Sequence, residues 1–117
     1  MNQSMMEMVA EAKKIVPTIA PGKAATLLEA GNAMAIDVRN DGEVAQSGKI
    51  SGALHIPLDQ FVNMYASAIS RDKVILLYCA SGARSALAGR LLLKDGYTDV
   101  HNLGGFIDWV NSGGAVE

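Results

Sequence analysis

The single cysteine of the chain, Cys79, stands in the run Val74–Ser85, VILLYCASGARS. Val74–Tyr78 is apolar and β-rich with no polar alternation, the pattern of a strand covered on both faces. Cys79 ends that run. Ala80, Ser81, Gly82 and Ala83 are small, and Arg84 and Ser85 open a helical pattern that extends over Ala83–Lys94. A thiol placed between a strand and a helix start meets unpaired amide N–H groups and the positive end of the helix dipole, and both favour an anion. A free thiol ionises near about 8.5, and sites of this kind lower that value to about 3.5–7.5. Small side chains let successive amides turn inward around the sulfur, so the pattern predicts a nucleophilic thiolate at Cys79. A lone cysteine also serves as a small core hydrophobe, but a core position has no need of the Ala-Ser-Gly-Ala-Arg that follows.

A second polar cluster accompanies it. Ala33–Val38 reads as a buried strand that runs into Asp37-Val38-Arg39. Two charges where an apolar strand stops suggest the carboxyl edge of a sheet, where open α/β sheets bind ligands. Glu43 follows in a short helical stretch over Asn40–Gln46.

The remaining pattern supplies the frame for these residues. Ser4 is placed to cap a helix running to about Lys14, with Glu7 as its capping-box partner. Met5, Met8, Val9, Ala12 and Ile15 share most of one face of it and read as packing residues, or as a face for a partner. Val16–Ile19 is a short extended piece, and Pro17 makes it an edge. Pro21 starts a helix through Ala24, Leu27 and Leu28 to Ala30, which Gly31 ends. Ser47-Gly48 reads as a turn, Ile50–Pro57 as a turn and short strand, and Asp59–Ala68 as a helix anchored by Phe61, Val62 and Tyr65. Ala86, Leu87, Leu91 and Leu92 give the helix after Cys79 its apolar surface, and Ala88 and Gly89 permit close approach there. Thr98–Asn102 is a short strand, Leu103-Gly104-Gly105 a tight turn, and Phe106–Val110 a short helix with Trp109 as core anchor. Asn111–Glu117 reads as a polar, frayed tail. Alternating strands and helices predict a parallel sheet with helices on both faces.

Composition narrows the function classes. The 117 residues suffice for one domain with a proper core, and 50% of them are hydrophobic. The net charge of −2 gives no support to nucleic-acid binding. One cysteine excludes an internal disulfide framework and a cysteine-rich metal site, and it suits a reducing, cytoplasmic setting. No run of apolar residues is long enough to span a membrane, and the N-terminus lacks the pattern of a secretory signal.

Taken in order, IDVR at Ile36–Arg39, Glu43, GKISGALHIP at Gly48–Pro57, CASGARS at Cys79–Ser85, Gly96-Tyr97 and LGGFIDW at Leu103–Trp109 resemble a single-domain rhodanese, a thiosulfate sulfurtransferase-like family. The resemblance extends from about Ile15 to Val110. It implies a three-layer α/β/α rhodanese-like fold with a five-stranded, mainly parallel sheet in the order 1-5-4-2-3. It further implies residues 15–117 as the rhodanese-like domain, residues 1–14 as a helical extension that the family does not explain, and a persulfide on Cys79 during turnover. Lys49 departs from the family, in which many members have histidine at that position.

Sulfur transfer needs a thiolate, stabilisation of the Cys–S–S⁻ anion, and access for an acceptor. Cys79 would supply the first, and the amides across Ala80, Ser81, Gly82, Ala83 and Arg84 the second, with no metal and no cofactor. The expected partners are a small sulfur donor such as thiosulfate and an acceptor that is cyanide, a thiol or a protein. Ser85 is a candidate donor to the sulfur or to the loop. Arg84 either docks an anionic donor or pairs with Asp37 or Glu43 to hold the loop, the favoured role being the brace. Asp37 and Arg39 are expected to fasten neighbouring loops. His55 and His101 receive no catalytic role, because an ionised thiol needs no base. Two rival readings remain open: a sulfur-carrier or protein-interaction module loaded by a partner enzyme, and a small phosphatase or arsenate reductase. The phosphatase pattern requires five residues between cysteine and arginine, whereas here four separate Cys79 from Arg84 and Ser85 occupies the required place.

Overall fold

A computed structural model describes residues 4–117. It is built from α1 (Met5–Ile15), α2 (Pro21–Glu29), β1 (Ala33–Asp37), α3 (Asp41–Ser47), β2 (Leu54–His55), α4 (Leu58–Ala68), β3 (Val74–Cys79), α5 (Ala83–Lys94), β4 (Val100–Gly105) and α6 (Phe106–Asn111). The strands form one sheet in the order β2-β1-β3-β4, and every pairing is parallel. The first three residues of the expected N-terminal extension lie outside the described residues.

Alternation along β3 divides the core between the two faces. Ile75, Leu77 and Cys79 point to one side, where they join Val16, Ile36, Phe61, Ala88 and Leu92. Leu76 and Tyr78 point to the other, with Ala24, Ala35, Leu103, Phe106 and Trp109. This is the period-two logic of a strand sandwiched between helical layers. α1, α4 and α5 cover the Cys79 face, and α2 and α6 cover the opposite one. The expected α/β/α architecture is present.

Five elements differ from the sequence reading. Leu103-Gly104-Gly105, expected as a tight turn, instead completes β4, where Gly104 and Gly105 pair with Tyr78 and Cys79. The sheet has four strands, not five: Val16–Ile19 contributes a single parallel bridge, Thr18 to Asn102, on the outer side of β4. Its ladder is limited to Asn102 N–H donating to the Pro17 carbonyl and Ile19 N–H to the Asn102 carbonyl. Pro17 has no N–H to extend it, and the piece is confined between the end of α1 and the start of α2. The position of the bridge matches the expected first place in the strand order. The C-terminal tail is tied down: Lys49 and Glu117 exchange backbone hydrogen bonds, Ser51 N–H donates to the Ala115 carbonyl, and Val116 forms an antiparallel bridge with Ile50. Val62, expected to anchor α4, is exposed, whereas Phe61 is fully buried and stacks on Tyr65. The methionines of α1 are also largely outside the core, with Met5 64% and Met6 84% exposed, and Ala12 is the residue that α1 buries completely. The Ser4 hydroxyl accepts from Glu7 N–H at the start of that helix, as the capping pattern predicts.

Gly89 shows why α5 lies so close to the sheet. A Cβ there would sit 2.9 Å from Val16 Cγ1 and 3.4 Å from Leu77 Cδ1. Glycine on that face lets the middle of α5 pack closely against Val16 and against Leu77 of β3.

Candidate active site

Cys79 is the last residue of β3, and three residues separate it from the start of α5 at Ala83. The reversal turns on Gly82, whose φ of 90° falls in the left-handed region that glycine enters without a steric penalty. That conformation aims the Gly82 N–H at the Cys79 sulfur, 3.1 Å away. The Ser85 hydroxyl lies 3.5 Å from the same sulfur. Burial works against ionisation of the thiol. It is outweighed by the Ser85 hydroxyl together with the amides of Ser85, Ser81 and Gly82, and the thiol is shifted below its ordinary value. Of the amides from Ala80 to Arg84 expected to form a cradle, that of Gly82 is in hydrogen-bond contact with the sulfur.

Cys79 is fully buried and belongs to the apolar cluster on its face of the sheet. By burial alone it resembles a core cysteine. The polar donors converging on its sulfur set it apart, because an inert core thiol in apolar surroundings is pushed towards the neutral form. Ala80 and Ser81 are exposed, so the sulfur lies immediately beneath the surface. A depression of about 410 Å³ elsewhere is lined by Pro21, Leu28 and Trp109. The one next to the loop, about 310 Å³, is lined by Val38, Asn40, Pro57, Leu58, Asp59 and Arg84. These residues follow the carboxyl ends of β1, β2 and β3, the edge at which α/β sheets bind ligands.

Arg84 forms a two-pronged pair with Glu43, Nη1 to Oε1 at 2.6 Å and Nη2 to Oε2 at 2.9 Å. Both side chains are about one-third exposed, at 32% and 30%. Glu43 is itself fixed by a reciprocal cap: its N–H donates to the Asn40 side chain, and the Asn40 N–H donates to the Glu43 carboxylate. The Arg84 guanidinium holds the Glu43 carboxyl down at about 2, with the Asn40 N–H assisting against partial burial. Of the two roles open to Arg84, the brace is the one this geometry fits.

Asp37 and Arg39 lie behind the loop. Arg39 donates to Asp37 from its backbone N–H, Nε and Nη2, and it reaches Ser47 Oγ at 2.8 Å and the Gly48 carbonyl at 2.7 Å. Its guanidinium covers the Phe106 ring at 4.2 Å. Both residues are buried, at 0% and 3% exposure, and together they bind β1 to the end of α3. The ring of His55 bonds to the Arg39 carbonyl and that of His101 to Asp99. Lys49 donates to the Ala53 carbonyl and to Glu117. No group of three or more His, Cys, Asp or Glu side chains is arranged to hold a metal among the described residues, and none of the described helices is long and apolar enough to cross a membrane.

Sequence reasoning missed Asn102. It is buried in β4, its Nδ2 donates to the Gly82 carbonyl, and its Oδ1 accepts from Ser85 and from Gly104 N–H. The available signal was slight: an amide at an otherwise apolar inward position of a strand. A register shift opposite Leu77 and Tyr78 inserts Leu103 between the paired residues Asn102 and Gly104. Such irregularities redirect side chains beside functional loops.

A profile of the rhodanese-like domain matches residues 20–112. A sulfurtransferase of Allochromatium vinosum is 38% identical over 88 residues, covering 74% of this chain and 80% of its own. The thiosulfate sulfurtransferase PspE of Escherichia coli is 36% identical over 74 residues, covering 62% of this chain and 70% of its own. A solved structure from Rhodopseudomonas palustris, described as a protein of unknown function and possible tyrosine phosphatase, superposes with a TM-score of 0.84 at 28% identity, covering 100% of this chain and 96% of its own. A profile spanning most of the chain, joined to this sheet order and this cysteine loop, makes the chain a member of the rhodanese-like domain family.

Proposed function

We propose that the protein is a sulfurtransferase whose reacting group is Cys79, carried on a domain of residues 15–117 that residues 1–14 extend. The observation that carries this reading is the convergence of the Gly82 amide and the Ser85 hydroxyl on one buried sulfur at the N-terminus of α5. With thiosulfate as donor, the Cys79 thiolate attacks the sulfane sulfur. The S–S bond of thiosulfate breaks, and sulfite leaves with its electron pair. The terminal sulfur of the resulting Cys–S–S⁻ carries the negative charge. An acceptor such as cyanide or a thiolate then attacks that terminal sulfur, and the Cys79 thiolate departs. No proton transfer is required when the thiol is already ionised, which agrees with both histidine rings bonding elsewhere.

The amides of Ser81, Gly82 and Ser85 stabilise charge on the sulfur before and after the transfer, and fixed donors in a site shielded from water do this with little reorganisation. The exposed Ala80–Ser81 segment and the depression lined by Arg84 and Leu58 are the side from which a donor would approach the sulfur. The two named sulfurtransferase relatives support the reaction class.

Intact-protein mass measurement after incubation with thiosulfate tests the proposal. The expected result is an adduct of one sulfur atom, removed by cyanide and absent in Cys79→Ser. A wild-type protein that gains no sulfur from thiosulfate, polysulfide or a desulfurase would overturn it. A gain only with the desulfurase present would identify a carrier module in place of a thiosulfate enzyme.

The neighbour described as a possible tyrosine phosphatase motivates a second assay. Four residues separate Cys79 from Arg84, one fewer than an aryl-phosphate cradle uses, and Arg84 is engaged by Glu43. The shorter loop suits a single sulfur better than a tetrahedral oxyanion. Turnover of an aryl phosphate, lost in Cys79→Ser, would reverse this assignment.

A further inference from the structure

The orientation of the Asn102 side chain is determined by two backbone groups that cannot exchange roles. Its Nδ2 lies 3.0 Å from the Gly82 carbonyl, which can only accept. Its Oδ1 lies 3.0 Å from Gly104 N–H, which can only donate. The atom facing Ser85 Oγ at 2.7 Å is therefore the carbonyl oxygen, and Ser85 is the donor. A serine hydroxyl has one proton. With that proton on Asn102, Ser85 presents only lone pairs to the Cys79 sulfur 3.5 Å away. In this arrangement Ser85 accepts from a neutral thiol and cannot donate to a thiolate. Donation requires the O–H to rotate from Asn102 to the sulfur. After that rotation Oδ1 retains its bond from Gly104, so no buried polar atom loses its last partner.

We propose that Asn102 is a positioning residue for Cys79, holding the Ser85 proton while the sulfur is neutral and releasing it to the sulfur when the sulfur carries negative charge. The Ser85 hydroxyl is then a two-position donor, with β4 supplying its resting acceptor and the end of β3 its working one. The inference rests on Cys79 being the reacting thiol. The fixed charges around the sulfur cannot switch in this way: Arg84 also faces the sulfur and favours its ionised form whichever way the Ser85 proton points. Arg84 on α5 is paired with Glu43 on α3, Asp37 at the end of β1 is paired with Arg39, and Asp108 on α6 lies across Gly105 from the Ala80 carbonyl.

A double-mutant cycle on the full chain tests it, with the thiol ionisation midpoint as readout. Wild type, Asn102→Ala, Ser85→Ala and the double variant are followed by thiolate absorbance and by the pH dependence of alkylation with uncharged iodoacetamide. Loss of the Gly82 contact raises the midpoint equally in both backgrounds. Loss of the resting acceptor lowers it only where Ser85 is present. The shift caused by Asn102→Ala should therefore be lower with Ser85 intact than in the Ser85→Ala background by about half to one pH unit, the value of one neutral hydrogen bond. Equal shifts in both backgrounds would reduce Asn102 to a brace and overturn the proposal.

A second measurement needs no change at Asn102. In wild type, the Gly104 amide resonance should titrate with the Cys79 midpoint as Oδ1 loses its Ser85 partner, and in Ser85→Ala that response should vanish. The same response in both proteins would also overturn the proposal. Neither readout requires sulfur transfer: failure of persulfide formation with intact coupling would refute the function alone, and persulfide formation with equal shifts would refute this inference alone.

Discussion

Replacing Glu43 by glutamine separates the two roles of Arg84 that the residues alone leave open. The substitution keeps the size of the side chain and the cap with Asn40 while removing the charge that engages both guanidinium nitrogens. The Glu43 carboxyl is held at about 2 against an ordinary value of 4.5. Full linkage of that difference corresponds to about 3 kcal/mol. Both partners are about one-third exposed, so solvent screening reduces the expected contribution to about 1–2 kcal/mol. The sign follows from a folded-state value below the unfolded one: the contribution is complete above about 4.5 and is lost as pH falls towards about 2. Urea unfolding at neutral pH should show Glu43→Gln less stable than wild type by about 1–2 kcal/mol, and the gap should close in acid. Persulfide formation from thiosulfate and mixed-disulfide formation with an uncharged thiosulfonate ester, which leaves as sulfinate, should slow in parallel, because a loosened loop serves both reactions of the thiolate badly. A gap that persists unchanged at low pH would refute the electrostatic argument. A lower KM for thiosulfate alone, with stability unchanged, would refute the brace and make the freed Arg84 an anion dock.

Three further outcomes follow from the same geometry. Gly82→Ala forces a Cβ into the left-handed region beside Gly104 Cα at 3.4 Å; the cost of about 1–2 kcal/mol should turn the Gly82 amide off the sulfur, raise the thiol midpoint and slow alkylation at neutral pH. Gly105→Ala places a Cβ 2.6 Å from the Ala80 carbonyl, so the loop must shift, and persulfide yield should drop while circular dichroism still reports the fold. Tyr78→Phe removes the hydroxyl that accepts from the buried Ile50 N–H; thermal unfolding should register a loss of about 1–3 kcal/mol, with the alkylation profile of Cys79 unchanged because Tyr78 faces the opposite layer.

Local chemistry made the two halves of the site readable at different levels. The apolar run ending at Cys79, the small residues after it and the helix over Ala83–Lys94 are short-range features, and the structure reproduces that helix to its end residues. The glycine needed at Gly82 follows from the same logic, since a strand-to-helix reversal in so few residues demands a backbone conformation that side chains oppose. Which face of β3 Cys79 takes was not legible, because the run is apolar on both sides, and the packing decided it.

Pairings across long separations were not accessible in that way. Glu43 and Arg84 lie 41 positions apart, and Asp37 was an equally reasonable partner until Arg39 was found to occupy it. The tail looked frayed because it is polar and short, yet Lys49 and Ile50 give it a strand edge to join. The reduction of Val16–Ile19 to one bridge depends on how tightly α1 and α2 confine it. Asn102 carries no charge and no reactive atom, and its importance arises because the shifted register of β4 brings its amide between Gly82 and Ser85. Backbone preference and hydrophobic period are properties of neighbouring residues, and they were enough to specify the strand, the loop, the helix and the place of the sulfur among them. The polar groups that converge on that sulfur come from separate stretches of chain. Hydrogen-bond partners are selected by distance and direction, and those are defined only once the sheet has closed.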